Sequence, residues 1–131
     1  MGGMTDCFQP FEAEHHVTYE TICEMNRCGV GYLIVTKSHL IAQPEYLEIL
    51  DKDLAHIQIT VTTLDDNKAL TYEKASIPSK RVESIKKLQS AGYDVSIRLS
   101  PLIEDFMDFD SLNSLGINRC VVEFLRVNSW I

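Results

Sequence analysis

Four short runs rich in β-branched and aliphatic residues recur along this chain, each separated from the next by a segment punctuated like a helix. The runs fall at residues 31–37, 55–63, 95–100 and 119–125. This alternation predicts repeated βα units, hence an α/β fold with parallel strands. A helix is expected at residues 18–28, before the first run, and between the runs helices are expected at 44–52 and 78–91, with a shorter one at 111–115 and a helical turn within 65–72. Thr18 and Asp110 read as N-caps, and Gly29, Gly92 and Gly116 as stops. Pro44 and Pro78 suit first helical turns, where a missing N–H costs nothing. Val82, Ile85 and Leu88 form the apolar stripe of the longest helix, while Lys80, Arg81, Lys86 and Lys87 read as its solvated face. Residues 1–6 read as the stub of a strand end.

The strands carry a second constraint. Ile57, Ile59 and Val61 face one side and Gln58, Thr60 and Thr62 the other, because side chains alternate along a strand. Val95, Ile97 and Leu99 likewise oppose Ser96, Arg98 and Ser100. A parallel sheet covered by helices on both faces reads as almost continuously apolar. One apolar and one polar face instead suggest a curved sheet, with helices on the convex side and an open, polar concave side, as in part of a βα barrel. A plain α/β sandwich with one poorly covered face is the alternative. Ligands of βα proteins bind where strands end and loops begin. Lys37, Thr60, Thr62, Arg98, Ser100 and Glu123 fall near that rim. Lys37, closing the run "YLIVTK", can meet an anionic ligand group or a structural carboxylate, and the spacing alone leaves both open.

Length and composition narrow the function classes. The 131 residues fit one domain. A net charge of −7 gives no help to phosphate-backbone binding. No stretch has the length of a membrane span, and the N-terminus lacks a basic region followed by an apolar one, so a cytoplasmic protein is expected. Cys7, Cys23, Cys28 and Cys120 include no Cys-x-x-Cys pair, so reduced thiols are expected, and neither they nor His15-His16 have good metal-site spacing.

Several fragments in order carry a resemblance: "GGMTDCFQPFE", "LIVTKSHLI", "ITVTTLDDNKALTYEKASIPSKRVESIKKLQSAGYDVSIRLSPLI". They resemble the spore photoproduct lyase-like (DNA repair photolyase-like) subgroup of radical SAM enzymes. The resemblance covers nearly the whole chain and weakens after residue 110. It implies about half of an open, TIM-like six-stranded barrel, from the end of its second strand through its sixth. It also implies S-adenosylmethionine contacts at Thr5, Lys37 and Thr60, with Lys37 on the methionine carboxylate, and at Arg98 on the same face. DNA enters as a partner only through this resemblance.

The departures matter as much. The Cys-x-x-x-Cys-x-x-Cys motif that binds the family's [4Fe–4S] cluster is not in this sequence. Cys7 and Lys74 replace prolines of the family pattern, Glu104-Asp105 stands where Pro-Gly often does, and Gly3 stands where spore photoproduct lyases proper carry a hydrogen-donating cysteine. The expectation is a truncated portion of such an enzyme, with an S-adenosylmethionine-binding rim but no cluster, inactive alone. The alternative is a non-catalytic half-barrel module that self-associates, as a dimer, through its exposed sheet edges. A flavodoxin-like binding protein is a third reading, but Gly2-Gly3 is a poor phosphate loop.

Overall fold

The computed structural model describes Met1 and residues 4–125. Gly3 and the tail "RVNSWI" lie outside the described residues. The four apolar runs form β1 (Tyr32–Thr36), β2 (Ala55–Thr60), β3 (Asp94–Leu102) and β4 (Cys120–Phe124). They make one sheet in the order β1-β2-β3-β4, with every neighbouring pair parallel. Helices α1 (Glu12–His15) and α2 (Val17–Arg27) precede β1, and α3 (Pro44–Ile49) joins β1 to β2. Helices α4 (Asp66–Leu70) and α5 (Pro78–Ser90) join β2 to β3, and α6 (Phe109–Asn113) joins β3 to β4. Among the described residues no helix is long and apolar enough to cross a membrane.

Strands that neighbour one another in chain order, joined by right-handed crossovers, put all their connecting helices on one face. The packing agrees. Ile22 of α2, Tyr46 of α3, and Ile85 and Leu88 of α5 share one core with Ile34, Ile57, Ile59 and Ile97 of the strands. Each such buried side chain contributes about 1.5–3 kcal/mol relative to exposure. Register keeps the two faces separate. Ile57 lies beside Val95 and Ile59 beside Ile97, while Gln58 lies beside Ser96 and Thr60 beside Arg98. The second, polar parity is also largely removed from solvent: Gln58, Thr60 and Ser96 are all buried.

Several local expectations are corrected. Helix α2 starts at Val17 after His16, whose φ is 54°, and Thr18 is not its cap. The Thr18 hydroxyl donates instead to the Cys7 carbonyl at 2.7 Å, because Glu12 already accepts the first free N–H groups of the helix. Asp108, not Asp110, caps α6: it is the last extended residue, and its Oδ1 accepts from the N–H groups of Asp110 and Ser111, each at 3.1 Å. Strand β2 stops at Thr60, short of residue 63, while β3 runs on through Pro101 to Leu102. Residues 4–6 form no strand. Of the described residues in this stub, Met1 alone bonds to the sheet backbone: its carbonyl accepts from the Val35 N–H at 3.0 Å, and its amino group donates to the Leu33 carbonyl. Arg81 is not on a solvated face. It is fully buried, because the inner face of α5 runs through Arg81, Ser84, Ile85 and Leu88, with Val82 to its side.

Candidate functional site

The carboxyl ends of the strands frame a cavity of about 350 Å³. Lys37 reaches it from just beyond β1, Thr60 from the last position of β2, and Arg98 from β3. Thr5 closes it from the segment that follows Met1. The structure thus brings together the four residues that the resemblance implies as contacts, whereas Thr62, also expected near the rim, lies outside this cavity with its hydroxyl 2.8 Å from that of Tyr72. Asp6, Ser100 and Glu123 complete its polar wall.

Alternation explains why these side chains converge. Lys37, Thr60, Arg98 and Glu123 all sit on the strand parity opposite the core, and parallel register sets the Cα atoms of Thr60 and Arg98 side by side. Arg98 is held in place across the sheet. Its Nη1 donates to Gln58 Oε1 at 3.2 Å and its Nη2 pairs with Glu123 Oε1 at 2.6 Å. Ser100 Oγ donates to the other Glu123 oxygen at 2.5 Å. The Thr5 and Thr60 hydroxyls, by contrast, form no side-chain hydrogen bond among the described residues, which leaves them available to a ligand.

Lys37 is engaged. Its ammonium donates to Glu73 Oε2 at 2.6 Å, and the other Glu73 oxygen pairs with Arg81 Nη2. Arg81 is 0% exposed, and the Glu73 side chain is 9% exposed. The buried guanidinium also donates through Nε to the Ser76 carbonyl at 2.6 Å and through Nη1 to the Thr60 carbonyl at 3.1 Å. One cation therefore fixes both the end of β2 and the loop that carries Glu73. Of the two partners the sequence left open for Lys37, the structural carboxylate is present. Glu73 is shared between two cations, so Lys37 is not fully neutralised by it, and its side chain remains 32% exposed.

Sequence reasoning passed over the acids that organise this region. Asp6 accepts from the Thr36 hydroxyl at 2.8 Å, the Lys37 N–H at 2.7 Å and the Phe8 N–H at 2.9 Å, tying the first loop to the end of β1. Glu12 accepts from the N–H groups of Thr18 at 2.8 Å and Tyr19 at 2.9 Å and from the Tyr46 hydroxyl at 2.6 Å. Burial alone raises a carboxyl's pKa, but the Tyr46 hydroxyl and the two amides outweigh it and hold Glu12 below its ordinary value. Burial, then the same hydrogen bond, pushes the Tyr46 hydroxyl up. Both acids lie in the quoted "GGMTDCFQPFE" fragment, and Glu73 lies in the longest of the quoted fragments. Those positions were the available signal.

The thiols do not fit an iron–sulfur cluster. Burial, and then the Asp6 charge, push the Cys7 thiol up to about 11, away from the thiolate that ligation requires. Cys23 and Cys28 are exposed at α2, and Cys120 lies across the sheet on β4. Among the described residues no three metal-ligating side chains converge. No protein-family model, curated protein or solved structure matches this chain.

Proposed function

We propose that the rim cavity binds S-adenosylmethionine by its amino-acid end, in a partial βα barrel of the radical SAM type resembling the spore photoproduct lyase-like subgroup. The observation that carries this reading is the convergence of Thr5, Lys37, Thr60 and Arg98 on one cavity at the carboxyl ends of parallel strands. The charge pattern adds support. The wall offers two cations, Lys37 and Arg98, and two carboxylates, Asp6 and Glu123, which suits a zwitterion carrying a carboxylate and an ammonium. Thr5 and Thr60 supply hydroxyls that can donate or accept. The strand order β1-β2-β3-β4 is compatible with a barrel segment and has no reversal of the flavodoxin type among the described residues. Because the cysteines do not fit a cluster, no cleavage step is assigned to these residues, and the role proposed is binding.

Isothermal titration with S-adenosylmethionine tests the reading. Saturable binding that weakens about tenfold or more in Lys37→Ala is expected. That variant should stay folded, since Arg81 still pairs with Glu73. No binding up to millimolar ligand, or equal affinity in Lys37→Ala, would sink it.

A second reading, self-association through the sheet edge, is favoured by one observation. On the outer strand β4, Phe124 is 76% exposed, and Val122 and Leu125 are also exposed. Apolar side chains on an edge strand whose outer backbone pairs with no strand among the described residues invite a partner.

A further inference from the structure

We propose that the hollow between the loops following β1 and β2 is a second small-molecule site, suited to an apolar monoanion such as an aromatic or aliphatic carboxylate. The hollow holds about 450 Å³, more than the rim cavity, and lies within the range of small-ligand pockets. It shares Asp6 and Lys37 with the rim cavity, and its other lining residues are different. The proposal does not depend on what the rim binds.

The walls set the ligand's body. Phe8, Pro10 and Ala13 line one side, and Leu40 and Ala75 the other. Phe8 is firmly placed, 1% exposed and edge-on to Tyr46 with centroids 5.0 Å apart. The two alanines leave the space open. Such a surface gains by covering apolar area and offers few hydrogen bonds to a polar body.

The polar groups set the ligand's charge, since most are already satisfied. Ser76 Oγ accepts from the His39 N–H at 3.0 Å and lies 2.8 Å from His39 Nδ1. Burial, then the nearby Lys80, hold His39 below its ordinary value of 6.5, so it is uncharged at neutral pH. Asp6 accepts three protein donors. Lys37 and Arg81 share Glu73. Lys74 alone of the lining cations has no ion-pair partner among the described residues. An apolar chamber with one free ammonium at its exposed mouth fits one negative charge on an apolar body.

The probe is indole-3-acetate, titrated into the isotope-labelled full chain and followed by amide NMR. Saturable shifts at Leu40 and Ala75 are expected. Lys74→Glu should weaken binding about tenfold, as an attraction becomes a repulsion. Ala75→Trp should abolish it by filling the chamber; Ala75 is exposed in a loop, so the variant should fold, and its unfolding midpoint checks this. Thr60→Val, on the rim, should leave binding unchanged, which separates this site from the rim. No saturation up to about 10 mM, the weak end of fragment binding, would overturn the proposal. So would unchanged affinity in Lys74→Glu, persistence of binding in folded Ala75→Trp, or shifts centred on Val122 and Phe124.

Discussion

Arg81 shows how one side chain can govern a site it does not line. Its guanidinium is fully buried, reaches two backbone carbonyls and pairs with Glu73, which in turn holds Lys37. A buried charge pair adds little over an apolar pair, but removing one partner is costly because the other is left with its charge in a poorly solvated place. We expect Arg81→Leu to cost about 3 kcal/mol or more of unfolding free energy, read from the shift of the urea midpoint at unchanged slope. A loss below about 1 kcal/mol, the level of an exposed pair, would mean that the guanidinium is not a hub. The sequence concealed this residue because charge was read as a mark of exposure. Arg81 stands next to Lys80 on a helix that also carries Lys86 and Lys87, and only the helical period through Ser84, Ile85 and Leu88 marks it as inward. Asp6 was missed for a related reason: the three groups it joins are far apart in sequence or belong to the backbone, which leaves no pattern to find.

Among the elements, Glu12 does the work of a cap from outside the helix it serves. It sits on α1, accepts two N–H groups at the start of α2, and receives the Tyr46 hydroxyl from α3. Three helices therefore depend on one ionised carboxylate near the positive end of α2. Its pKa is depressed in the folded chain relative to the ordinary 4.5. Its stabilisation is thus fully present above pH 4.5 and is lost as pH falls through the depressed folded value. Acid unfolding should accordingly be less steep in Glu12→Gln than in the wild type below pH 4.5, and the two should differ most near neutrality. Parallel acid limbs in urea titrations across that range would contradict this. Element types were legible because periodicity and punctuation agreed: glycines at positive φ end α2, α5 and α6 close to the residues expected. Boundaries were less so. The cap of α2 comes from six residues before Thr18, which no local rule for caps anticipates.

For the whole molecule, the strand order and the split between faces were legible, since both follow from alternation and connection length. What the uncovered edge does was not, because an edge is defined by what fails to lie beside it. The exposed Val122, Phe124 and Leu125 bear on the self-association reading. Two copies pairing their β4 edges about a two-fold axis would bury these side chains and continue the sheet from one copy to the next. Sedimentation velocity at micromolar concentration should then show a dimer, and Phe124→Asp should shift it to monomer. A wild-type chain that sediments only as monomer would count against that assembly.

Alternation along each strand sorts its side chains between the packed face and the rim. A single residue inserted early in β2 would rotate every later side chain by half a turn, sending Ile59 into the rim cavity and Thr60 among the helices. Two inserted residues would restore both destinations and only move the end of the strand outward. Length changes in this sheet should therefore be tolerated in pairs, and the chemistry of the hollow side can be rewritten by substitution while the packed side is left alone.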